Sequence, residues 1–161
     1  MGSIEIRDVV DGAQRARELF RHRYRQDPPE PPHHVIAFHR SPAGVETPVC
    51  YVHFAPFGAV LLGGGACVDD REMRRMDVST RMQLRHRGGL YRMTLDWALR
   101  YFAPEYSAIF GYCGDKLAER IDLAAGFERT AHTHLLVRWT REIGAEQRAQ
   151  LIAQAHAVGP F

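Results

Sequence analysis

The chain has 161 residues, and its 21 basic against 19 acidic residues leave a formal net charge of +2. That length suits one hydrophobic core, so a single domain over residues 1–161 is expected, and the basic excess is too small to argue for nucleic acid, so no nucleic-acid partner is expected. Cys50, Cys67 and Cys113 give neither a disulfide framework nor a zinc-ligand series; they imply a reducing, cytoplasmic setting and no metal, and no apolar run is long enough to place the chain in a membrane.

Ile4 and Ile6 alternate with charged residues, which predicts a short half-buried strand. From Gly12 to Tyr24 the apolar spacing becomes helical through Ala13, Ala16, Leu19 and Phe20, with Asp11 placed to cap it. The run from Asp27 to Pro32 cannot continue a helix and reads as a surface connector. His34–His39 is expected as a strand, and Pro48–Ala55 with Ala59–Val68 as a buried hairpin turning at Pro56-Phe57-Gly58. Three successive glycines, Gly63 to Gly65, weaken the second arm; a backbone bulge or the close approach of a ligand accounts for them. His53, on the first arm, reads as a satisfied core histidine.

Asp69–Arg87 parses either as a strand and loop or as one or two basic helices with Ser79 or Thr80 as a cap, and its Arg, Met, Gln and Leu content favours helix. Leu90, Met93, Thr94, Trp97, Ala98 and Tyr101 then share a helical face that Pro104 closes. Tyr106–Tyr112 is a buried strand, and Asp115 to Ala125 a helix stopped by Gly126. Phe127–Trp139 alternates apolar and polar residues throughout, which predicts one strand carrying His132 and His134 on its polar face. Gly144–Ala157 closes the chain as an amphipathic helix with Ala145, Ala149, Ile152 and Ala155 inward.

The chemistry concentrates where Arg85-His86-Arg87-Gly88-Gly89-Leu90 opens a helix. Helix starts present unpaired N–H groups and a partial positive charge, and glycine lets an anion reach them, so the stretch suits a phosphate or pyrophosphate. The same two glycines also suit the plain end of one helix before the next.

The order of elements resembles the GNAT acyltransferase superfamily, and two stretches carry the resemblance at residue level. Arg85 and Gly88 match the family pattern [Q/R]-x-x-G-x-[G/A], with Leu90 departing at its last position. Asp115-Lys116-Leu117-Ala118 through Gly126-Phe127 is similar to Asn-x-x-Ala-x-x-x-Tyr-x-x-x-Gly-Phe, with Ala118, Gly126 and Phe127 identical, Asp115 in place of Asn, and Asp122 where many members carry the tyrosine that protonates the departing thiolate.

The resemblance implies an α/β (α+β) fold, a GNAT-like open mixed sheet flanked by helices on both faces. It implies transfer of an acyl group, most simply acetyl, from acetyl-CoA or another acyl-CoA to an amine by direct attack. The coenzyme-binding residues would be Arg85, Arg87, Gly88, Gly89, Leu90 and Asp115. Proton transfer would fall to Tyr112, Cys113, Asp122 and His134, with His132 beside them. Against these stand plainer roles: Cys113 as a small buried residue, Asp122 as the ion-pair partner of Arg129 or Lys116, and the histidines as solvated. Partners would be a small-molecule or peptide amine. Relatives also suggest an acyl carrier protein in place of coenzyme A, a homodimer through the C-terminal strand and helix, or a non-catalytic acyl-CoA binder.

Overall fold

A computed structural model describes residues 1–161. The elements are β1 (Ser3–Asp8), α1 (Gly12–Arg15), α2 (Arg17–Tyr24), β2 (His33–Arg40), β3 (Glu46–Phe57), β4 (Val60–Val68), α3 (Asp70–Arg75), α4 (Val78–His86), α5 (Leu90–Phe102), β5 (Ala108–Tyr112), α6 (Lys116–Ala124), β6 (Glu128–Arg129), β7 (Leu135–Trp139) and α7 (Ala145–Val158). Seven strands form one open sheet in the order β1-β2-β3-β4-β5-β7-β6. The β4–β5 pair is parallel, whereas β1–β2, β5–β7 and β6–β7 are antiparallel, so the sheet is mixed as expected.

The chain divides into two compact units, one of residues 1–53 with 65–97 and the other of residues 54–64 with 98–161. In the first, alternation along the strands separates two apolar layers. Ile36, Phe38 and Tyr51 pack with Ala16, Leu19 and Phe20 of the α1–α2 segment, while Ala37 and Cys50 pack with Met76, Leu84 and Leu90. In the second unit Val60, Leu62, Ala108, Phe110, Leu135 and Val137 form a layer with Ala155 of α7.

The basic segment after β4 is two helices, and aspartates rather than Ser79 or Thr80 start them. Asp69 accepts from the N–H groups of Arg71 and Glu72 at 3.0 and 3.3 Å, and Asp77 accepts from Thr80 at 2.9 Å. Three other expectations are corrected. The helix over 12–24 is broken at Ala16, and Asp11 makes no side-chain cap bond. Ala145 and Ala149 are exposed, while Ile152 flanks Ala155 as expected and Leu151 joins it.

The third correction concerns residues 127–139, which form not one strand but a hairpin. Glu128 faces Val137 and Arg129 faces Leu136, with residues 130–134 as the turn. The Thr130 hydroxyl closes this turn by donating to the Leu135 carbonyl at 3.0 Å, and His134 takes a left-handed φ of +69°. Alternation in sequence runs straight through the turn and hides it.

The glycine triplet does mark a break in β4. Gly65 has φ +62° inside the strand, and a Cβ built there would lie 2.5 Å from His53 Cε1 and 3.0 Å from Phe20 Cε2. Both the left-handed conformation and the ring against it exclude larger residues. Gly65→Ala is expected to destabilise the protein by about 2 kcal/mol or more in urea unfolding; an unchanged midpoint would show that neither restraint operates.

Candidate functional site

Two places assemble the residues that the sequence singled out. The first is the turn from α4 into α5. The Gly88 N–H donates to the Arg85 carbonyl at 3.1 Å and the Gly89 N–H to the Leu84 carbonyl at 2.8 Å, with φ of +85° and +98° at the two glycines. They therefore close α4, as the plain reading had it. Gly89 then offers its carbonyl to the Met93 N–H at 3.1 Å, the first rung of α5. That rung marks the start of α5, where a helix presents its partial positive charge.

The turn thus ends one helix and opens the N-terminus of a 13-residue one. A Cβ on Gly89 would meet nothing within 4 Å, so its outer side is open. Arg85 and Arg87 are exposed beside it, available to a phosphate in solution. Leu90 contributes only its backbone: its side chain is 2% exposed and packs with Met76 and Leu84. A core requirement accounts for leucine where the family pattern has a small residue.

The second place is the C-terminal end of β5. The β4–β5 ladder stops at Gly63–Gly111, although β5 continues to Tyr112 and β4 to Val68. A Cβ on Gly111 or Gly114 would meet nothing within 4 Å, so this strand end borders open space. In sheets with parallel strands, ligands sit beyond the carboxyl ends of those strands, where connections diverge.

Tyr112, Cys113, Asp115 and Asp122 lie on that end and the helix after it. Asp115 caps α6, accepting from Leu117 N–H at 2.8 Å and Ala118 N–H at 3.4 Å, so its carboxylate is committed to the helix. Cys113 donates to the Asp115 carbonyl at 3.3 Å and contacts the Asp122 carboxyl. Burial above all pushes the Cys113 thiol up to about 11. The thiol is thus protonated at neutral pH and is no activated nucleophile. Asp122 is 7% exposed, and Arg129 pairs with Glu119 at 3.0 Å.

His134 is exposed on the turn, and its carbonyl, not its ring, holds this region by accepting from the Cys113 N–H at 2.8 Å. His132 points elsewhere: its ring stacks on His156 of α7 with centroids 3.6 Å apart, and His156 Nδ1 lies 3.5 Å from the Tyr112 hydroxyl. Sequence reading passed over His156, which carries no motif and sits on a polar helix face. His53 is also not the satisfied core residue expected, since its buried Nδ1 has no hydrogen-bond partner. Burial, reinforced by His34, lowers its pKa to about 4.

No family model and no curated protein sequence matches the chain. Solved structures do. The ribosomal-protein-S18-alanine N-acetyltransferase of Escherichia coli superposes with a TM-score of 0.57 at 10% identity, covering 90% of this chain and 97% of that one. A structure from Pyrococcus horikoshii assigned as an acetyltransferase gives 0.55 at 13% identity over 79% of this chain, which spans only 44% of that protein. N-acetylglutamate synthase of Neisseria gonorrhoeae, solved with coenzyme A and L-arginine, gives 0.53 at 14% identity, covering 86% of this chain and 34% of that one. The fold is that of the GNAT acetyltransferases.

Proposed function

We propose that the protein is an N-acyltransferase that moves an acyl group, most simply acetyl, from an acyl-CoA to a primary amine. The observation that carries this reading is the early end of the β4–β5 ladder at Gly63–Gly111, beside a strand end with open space. Unpaired strand edges there offer backbone groups to the amides of a pantetheine arm. Separately, the Gly88–Gly89 turn at the start of α5, with Arg85 and Arg87 exposed beside it, suits a phosphate group.

In the reaction, the amine nitrogen forms a bond to the thioester carbonyl carbon while the carbonyl π pair moves onto oxygen. Collapse breaks the C–S bond and leaves the pair on sulfur, which takes a proton. Asp122, in contact with Cys113 and placed where relatives carry a tyrosine, is assigned to supply that proton. A protonated Cys113 keeps the transfer direct, without an acyl-cysteine.

Release of free thiol from acetyl-CoA in the presence of a panel of primary amines tests the reading. Turnover with at least one amine is expected, together with thermal stabilisation by acetyl-CoA. Absence of both would overturn it. Asp122→Asn is expected to keep the stabilisation and to lower kcat by about 100-fold, whereas full activity would remove Asp122 from the chemistry.

A further inference from the structure

Three elements bring aromatic and titratable side chains together beyond the carboxyl end of β5. Tyr112 ends that strand, His132 comes from the β6–β7 turn, and His156 comes from the last turn of α7. The Tyr112 hydroxyl lies 3.5 Å from His156 Nδ1, and the His132 ring lies flat on His156 at 3.6 Å and 9° between planes. Phe161 packs edge-on against Tyr112 at 5.4 Å and 90°, fixing the other side of the phenol. Tyr112 and His132 are half-buried and His156 is exposed, so the cluster runs from the strand end out to solvent.

This is not how a polar surface arises by default. An isolated exposed histidine on α7 needs no partner, yet here two imidazoles from distant parts of the chain stack in register, and one of them has its ring nitrogen facing a phenol. A phenol facing an imidazole nitrogen is the arrangement that lets a hydroxyl pass a proton on. The 3.5 Å separation is of the kind that shortens once substrate occupies a site.

We propose that Tyr112 and His156 form the proton exit for the acceptor amine, with His132 as a positioning residue for the His156 ring. The proposal rests on the acyl-transfer reading and adds to it the group that receives the proton. As the C–N bond forms, the acceptor nitrogen gives a proton to the Tyr112 oxygen, and Tyr112 gives its own proton to His156 Nδ1. One proton moves from nitrogen to imidazole, Tyr112 is neutral before and after, and His156 returns the proton to solvent. Asp122 is left to protonate the departing sulfur, so the two proton transfers use different groups.

The test compares wild type with Tyr112→Phe, His156→Gln, His132→Ala and His132→Phe, reading acetyl-CoA stabilisation, kcat and the pH profile of kcat. Tyr112→Phe and His156→Gln are expected to keep the stabilisation, lose about 100-fold in kcat, and lose the acid-side inflection of the wild-type profile. His132→Ala is expected to lose several-fold in kcat, and His132→Phe, which keeps a stacking ring, to recover it. Near-wild-type kcat in both Tyr112→Phe and His156→Gln, or an unchanged pH profile in them, would overturn the relay. Loss of acetyl-CoA stabilisation in Tyr112→Phe would overturn it too, making Tyr112 a coenzyme contact. If wild type itself neither binds acetyl-CoA nor turns over, the acyl-transfer reading falls and the relay with it; intact binding and turnover in every variant removes the relay alone.

Discussion

Gly89→Asp is expected to weaken acetyl-CoA binding about 100-fold, or about 2.7 kcal/mol, while the protein stays folded. The side chain has room, since a Cβ at that position meets nothing within 4 Å, while the φ of +98° imposes a backbone cost on any residue with a Cβ. What the substitution changes is the charge at the start of α5, where a helix presents a partial positive charge. A carboxylate there would offset that charge and repel a pyrophosphate. Gly89→Ala separates the causes, because it adds the backbone cost without the charge and is expected to bind within a few-fold of wild type. Calorimetric titration of the three proteins decides the matter. Equal affinity in Gly89→Asp would remove the α4–α5 turn from the site.

Acid lability is the second large effect. His53 has a folded pKa near 4 against an ordinary 6.5, because burial disfavours its charged form. The unfolded chain therefore takes up this proton first. The histidine's full contribution is present above pH 6.5 and is lost progressively as pH falls toward 4, by about 3 kcal/mol in all. His34 acts in the same direction, its pKa also lowered chiefly by burial, with Tyr51 hydroxyl 2.8 Å from its Nδ1. Urea midpoints measured from pH 7 to pH 4 should fall steeply, and His53→Leu should flatten that fall. A midpoint independent of pH across this range would contradict a neutral, buried His53.

Local chemistry made much of the fold legible. The helix stops at Gly88 and Gly126 and the unusual Gly63–Gly65 run each follow from what single residues permit, and each is present in the structure; the hairpin expected to turn at Pro56–Gly58 turns instead at Gly58–Ala59, with Pro56 and Phe57 still in β3. The mistaken strand over 127–139 has an equally local origin. Ala131-His132-Thr133-His134 holds none of the glycine, proline, asparagine or aspartate that mark turns, so a hydroxyl bond from Thr130 and a strained His134 do their work unannounced. That error also mispaired the histidines, since a turn sends His132 and His134 in different directions.

The candidate site was legible only in part for the same reason. Motif spacing located the α5 entrance and the Asp115–Phe127 segment, because their roles depend on neighbours in sequence. Asp115 proves to be the helix cap that its position before Lys116 allows, and Leu90 is held by the core. The meeting of Tyr112, His132 and His156 depends on where α7 and a hairpin turn return to the sheet, and no spacing in the chain encodes it. Likewise the unpartnered Nδ1 of His53 arises from the kink at Gly65, which places backbone rather than a donor against the ring.

The most direct test of the central claim is to map acetyl-CoA onto the backbone amides by two-dimensional nuclear magnetic resonance. Binding is expected to shift the amides of Leu90, Tyr91 and Arg92 at the start of α5 and those of Gly63, Gly64, Gly111 and Tyr112 where the β4–β5 ladder ends. Free coenzyme A should reproduce the shifts at α5, because the pyrophosphate is common to both ligands. Spectra that do not change with acetyl-CoA, or shifts confined to residues outside these two stretches, would contradict the assignment of this fold to acyl transfer from a coenzyme A thioester.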